Sequence, residues 1–137
     1  MGHTFGDVQT RVLADEDATP ERIQVGLRWL VCGCLESDTV IVLFSGHAAK
    51  AHKGLYYLPY AGDMRNLDPT SLNWTDVGEK LAAIKAKQIF FLTDCCQAGA
   101  FGQGHSTQAA IAQSVAGATN LAVFASSDAD HQSIEVG

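Results

Sequence analysis

The sequence predicts an α/β domain built on a mainly parallel sheet. Three observations carry that expectation. Residues 39–44, 89–93 and 121–126 are short apolar runs rich in β-branched and aromatic side chains, the chemistry of buried strands. Segments with apolar residues three and four apart alternate with these runs, as the crossovers of a parallel sheet require. Each run also ends in polar groups: His47, Asp94 with two cysteines, and Asp128 with Asp130. Open α/β sheets build their sites at such strand ends.

Taken in order, residues 8–13 alternate apolar and polar and predict a short strand. Asp15, Glu16 and Asp17 form an acidic loop. Thr19 then suits an N-cap, with Pro20 at the first helical position and Glu21 near the positive end of the dipole. Ile23, Leu27, Leu30 and Val31 give that helix one apolar face, and it ends at Gly33. Residues 39–44 follow as a buried strand, then residues 48–53 as a small polar loop. Residues 54–59 read as a hairpin arm closed by Pro59. Residues 61–66 are turn-rich. The next helix has Asn73 or Thr75 as its cap, and Trp74, Val77, Leu81 and Ile84 as its core face. Residues 88–94 are the second long strand. Residues 99–106 form a Gly-rich polar loop, 108–115 a helix, and 121–126 a third buried strand.

With 137 residues, 47% hydrophobic and 18% charged, the chain has the size and composition of one globular domain. No run approaches the ~18 uninterrupted apolar residues of a membrane span. The first seven residues lack the basic start and apolar middle of a signal peptide, so a cytoplasmic protein is expected. The net charge is −6 and the nine Lys and Arg are scattered, so nucleic acid is not an expected partner. The cysteines fall in two close pairs, Cys32 with Cys34 and Cys95 with Cys96. Neither pair has the C-x-x-C spacing of common zinc or redox sites. Cys32 and Cys34 are expected as buried small hydrophobes.

A thiol attacks a carbonyl as thiolate, and a neighbouring imidazole can take its proton and return it to the leaving amine. Two strand ends, one bearing a histidine and one bearing thiols, therefore suggest a cysteine nucleophile. His47, after a strand and a glycine, is the best placed of five histidines, with His131 as the alternative at another strand tip.

The paired motifs resemble the caspase-like (clan CD, peptidase C14) cysteine peptidases, in their metacaspase and orthocaspase branch. Phe44-Ser45-Gly46-His47 is similar to that family's histidine motif. Asp94-Cys95-Cys96-Gln97-Ala98-Gly99 is similar to its Asp-x-Cys-x-x-Gly motif. The two candidate residues stand 49 positions apart, near the ~50 of a caspase dyad. Residues 54–59 and the Ser126–Ser127 region with Asp130 and Gln132 also resemble family segments. The resemblance implies a caspase-like three-layer sandwich in which Cys96 is the nucleophile and His47 the general base and acid. Cys95 would face the core. Backbone N–H groups of Ala48 and Cys96 would form the oxyanion hole. Asp94, with Asp130 or Asp128, would line a pocket for a basic side chain, favouring Arg for its paired N–H bonds. Ala48-Ala49 stand where a glycine usually follows the histidine.

The family's sheet has a strand and helix before the segment matched to residues 8–13, and more elements beyond residue 137. The sandwich is therefore expected to be incomplete at both ends, and self-association or a second chain is expected to complete the sheet. The substrate would be a protein or peptide. No cofactor is expected; calcium, which activates some family members, would find only Asp15, Glu16 and Asp17, without a calcium-loop pattern. The competing reading keeps the fold but leaves the dyad idle, as a scaffold or interaction domain. A phosphate-binding reading fails because Gly102-Gln103-Gly104 has no following Lys-Ser/Thr.

Overall fold

A computed structural model describes residues 6–51, 53–97, 107–117, 120–125 and 134–136. The chain forms helix α1 (Pro20–Gly33), strands β1 (Thr39–Ala51) and β2 (Gly54–Leu58), and a single helical turn α2 (Leu67–Thr70). Strand β3 (Leu72–Asn73), helix α3 (Trp74–Ala82), strand β4 (Gln88–Gln97), helix α4 (Thr107–Val115), and strands β5 (Leu121–Ala125) and β6 (Ile134–Val136) follow. The six strands form one sheet in the order β3-β2-β1-β4-β5-β6. Its centre is parallel: β1 pairs with β4, and β4 with β5. Its margins are antiparallel, β2 and β3 on one side and β6 on the other.

The helices start where the local chemistry directs. Thr19 Oγ1 accepts from the Arg22 N–H at 3.2 Å, and Pro20 occupies the first turn of α1. Asn73 Oδ1 accepts from the Thr75 N–H at 2.8 Å at the start of α3. Trp74, Val77, Leu81 and Ile84 are all buried, as their spacing predicts. Ile23 and Leu27 of α1, Ile111 and Val115 of α4, Trp74, Val77 and Leu81 of α3, and Ile84 just beyond it share one core with Val40, Val42 and Phe44 of β1 and Ile89, Phe91 and Cys95 of β4. At its centre Trp74 meets Phe44, Tyr57 and Phe91 edge-on, with ring centroids 5.2, 5.6 and 6.0 Å away.

The opposite face of the sheet is covered differently. Ala49, Tyr56 and Leu58 are buried there. Tyr56 Oη donates to Asp68 of α2 at 3.2 Å, which ties the 60–70 segment over β2. Over β1 and β4 that face is open: Ile41 is 70% exposed and Leu43 65%. Residues 39–44 are thus half-buried, alternating core and solvent, instead of buried on both faces.

Three further expectations need correction. Residues 8–13 form no strand; the sheet edges are β3 and β6, and Val8 and Val12 are exposed. That segment instead lays the Arg11 guanidinium over the Trp29 ring, 4.5 Å from its centroid. Residues 48–51, expected in a loop, continue β1, because β2 folds back and pairs with them from Ala48↔Tyr57 to Ala51↔Gly54. Cys32 is exposed, on the side of α1 away from Ile23 and Leu27, while Cys34 is partly buried against the core. The short elements α2, β3 and β6 lack any periodic signal long enough to read.

Among the described residues no helix is long and apolar enough to cross a membrane.

Candidate active site

Strand pairing decides what meets what. In the parallel β1–β4 ladder, His47 is the register partner of Cys96, and Ser45 of Asp94. Adjacent strands lie about 4.8 Å apart, so the His47 and Cys96 backbones are immediate neighbours. Alternation then sorts the faces. Phe44, Thr93 and Cys95 are buried, whereas Ser45, His47, Asp94 and Cys96 are exposed. The imidazole, the Cys96 thiol and the Asp94 carboxylate therefore lie on one face, the side where Leu58, the β2 partner of His47, closes the row. Asp94 sits two residues before Cys96 on that face, about 6.6 Å along the strand.

His47 lies within β1 and follows a distortion in it. Gly46 has φ +148°, a backbone conformation that side-chain-bearing residues rarely adopt. Tyr57 packs beneath it, its ring edge-on to Phe44 at 5.0 Å, and its hydroxyl donates to the Ser45 carbonyl at 3.0 Å. Burial pushes the Tyr57 phenol up to about 12, with the Cys95 thiol adding to the shift, so the hydroxyl stays a donor. Sequence reasoning placed Tyr57 only in a hairpin arm; nothing in the sequence pairs it with Ser45.

The two neighbouring thiols differ sharply. Cys95 is fully buried. It accepts from Thr93 Oγ1 at 3.3 Å and its Sγ lies 3.8 Å from the Phe44 carbonyl. Burial pushes its thiol up to about 11 and outweighs the opposing bond from Thr93. Such a thiol is a packing residue at neutral pH. Cys96 is exposed beside His47.

The remaining expected site residues divide. Ala48, next to His47, has its side chain fully buried, and it pairs with Gln97 in β4. Asp128, Asp130 and His131 lie outside the described residues, as do His3, His52 and His105. Asp17 of the acidic segment pairs with Arg22 at 2.8 Å, both exposed. No group of three or more His, Cys, Asp or Glu among the described residues is arranged to hold a metal ion.

A sulfur and an imidazole on adjacent strands, on one accessible face, form the minimal apparatus for thiolate attack with proton shuttling. Comparison with known proteins accords with that chemistry: a family model described as the caspase domain matches residues 1–137. Searches among curated proteins and among solved structures gave no match.

Proposed function

This chain belongs to the caspase-domain peptidase family, and from that premise we propose that it is a cysteine endopeptidase cleaving after Arg or Lys, in the manner of the metacaspase branch. The observation that carries the reading is the His47↔Cys96 register, with both side chains exposed on one face. Cys96 attacks the scissile carbonyl carbon as thiolate, after its proton passes to His47. The oxyanion is met by the N–H groups of Ala48 and Cys96. His47 then protonates the leaving amine, which departs as the C–N bond breaks and leaves a thioester on Cys96. Water, deprotonated by His47, hydrolyses the thioester and restores the thiol.

The preference for a basic side chain rests on Asp94, an exposed carboxylate on the same face as the dyad and two residues from it. Asp128 and Asp130 are candidates to share that role. An acid offers paired bonds to a guanidinium and repels an aspartate side chain. Fluorogenic peptides with Arg, Lys or Asp before the scissile bond test the proposal. Cleavage after Arg and Lys is expected, and cleavage only after Asp would overturn the specificity. Asp94→Asn should lower kcat/KM for the arginyl peptide by about 10- to 100-fold, the loss of one charge-assisted hydrogen bond. If turnover is absent and iodoacetamide fails to modify Cys96 in folded protein, the domain is a scaffold instead.

The expected self-association or second chain is proposed to seat at the Ile41 and Leu43 end of the open face, short of His47 and Cys96. The exposure of Ile41 and Leu43 supports this, because contiguous apolar surface of that kind marks interaction sites.

A further inference from the structure

His47 sits one residue beyond a backbone conformation that the strand does not adopt on its own. Gly46, at φ +148°, turns the chain between Ser45 and His47. The direction in which the imidazole leaves the sheet therefore depends on whatever fixes that turn. Two side chains reach this point from the two neighbouring strands. From β4, the Cys95 thiol approaches the Phe44 carbonyl at 3.8 Å. From β2, the Tyr57 hydroxyl donates to the next carbonyl, that of Ser45, at 3.0 Å. The Ser45 carbonyl belongs to the peptide unit that leads into Gly46, so this bond holds the plane from which the bend starts.

Tyr57 is well held for such a role. Its backbone is the ladder partner of Ala48. Its ring is fixed edge-on by Phe44 at 5.0 Å and by Trp74 at 5.6 Å, so the hydroxyl has little freedom to swing. The hydroxyl also lies 3.3 Å from where a Cβ on Gly46 would stand, so it fills the space under the bend. The contact is on the buried side of the sheet, away from any substrate, and acts on catalysis only through the backbone.

We propose that Tyr57 is a positioning residue for His47: its hydroxyl, by holding the Ser45 carbonyl, sets the Gly46 bend that brings the imidazole beside Cys96. This rests on the peptidase reading given above. A residue that only packed the core would need the ring and not the hydroxyl.

Tyr57→Phe keeps the ring and removes the bond. Its hydrolysis of an arginyl fluorogenic peptide is compared with that of the wild type. The rate at which iodoacetamide modifies Cys96 at pH 7 is followed in parallel, by mass spectrometry of the Cys96 peptide. Misplacing a catalytic group costs up to about a hundredfold, so kcat is expected to fall roughly 10- to 100-fold with KM held within about twofold. Cys96 modification should slow in Tyr57→Phe and at least as much in His47→Ala. Gly46→Ala, which strains the same bend and crowds the same hydroxyl, should repeat the kcat loss, and it decides the matter where Tyr57→Phe does not fold. A folded Tyr57→Phe with wild-type kcat and modification rate overturns the proposal, and so does a rise in KM alone. If His47→Ala leaves Cys96 modification unchanged, the dyad falls and the proposal with it. If His47→Ala slows modification and Tyr57→Phe does not, the positioning role alone is lost.

Discussion

A strand turns successive side chains to opposite faces, and in β4 that rule separates two thiols that are adjacent in the chain. Cys95 goes to the core with Phe91 and Thr93; Cys96 goes to the accessible face with Asp94. Iodoacetamide at pH 8 should therefore modify Cys96 in the folded protein and reach Cys95 only after denaturant is added, as peptide mass spectrometry will show. Cys96→Ala should abolish turnover, while Cys95→Ala should keep it. The buried pair also makes stability depend on pH. Folding raises the Cys95 thiol from 9.0 to about 11 and the Tyr57 phenol from 10.0 to about 12. Between the lower and upper values of each group the folded state binds more protons than the unfolded state. Their contribution is therefore fully present below about 9 and is lost as pH rises through about 11 to 12. The melting temperature should drop over that range, and the drop should flatten in Cys95→Ala. The motif around Cys96 was legible in the sequence because its residue types are rare in combination. The role of Tyr57 was not, since a phenol in a hairpin arm acquires its acceptor only when β2 folds back on β1.

Helices α1 and α3 were legible as elements because each carries its own start signal and an apolar face: Thr19 and Pro20 for α1, Asn73 for α3. The strands were legible in place but not in extent. Small and polar residues from Ala48 to Ala51 read as a loop, yet pairing with β2 keeps them extended. The pattern at residues 8–13 failed for the converse reason, a strand-like alternation with no strand beside it among the described residues. Packing between α3 and α4 makes a sharper prediction. A Cβ on Gly78 would stand 2.7 Å from the Ser114 carbonyl oxygen and 2.9 Å from Val115 Cα. Replacing a helical glycine by alanine ordinarily stabilises by about 1 kcal/mol. Here backbone blocks the new methyl, so Gly78→Ala should destabilise by about 1–3 kcal/mol, the usual cost of overpacking, in denaturant unfolding. Trp74→Ala, which empties the centre of the aromatic cluster, should cost about 3–5 kcal/mol by the same measurement.

At the scale of the molecule, the sheet separates a sealed face from an accessible one. The described helices α1, α3 and α4 share the core on the sealed side, and His47 and Cys96 share the other side with Ile41 and Leu43. The apolar, β-branched run at 39–44 led to the expectation of a strand buried on both faces, and it gave no sign of which half would stay uncovered. Leu43→Lys tests the proposed second chain. It should shift sedimentation of concentrated protein toward the monomer while leaving circular dichroism unchanged, and an unshifted distribution would remove the support that this face lends to association.

On the proposed reading, the His47↔Cys96 register also sets the order in which activity returns after unfolding. The two residues stand 49 positions apart and become neighbours only when β1 and β4 dock. A slip of one residue in that docking would set the imidazole level with a neighbour of Cys96 and turn one strand's core set out to solvent. Proteolytic turnover during refolding would then serve as a clock for that single long-range event, lagging any signal from the helices and silent in every mis-docked molecule.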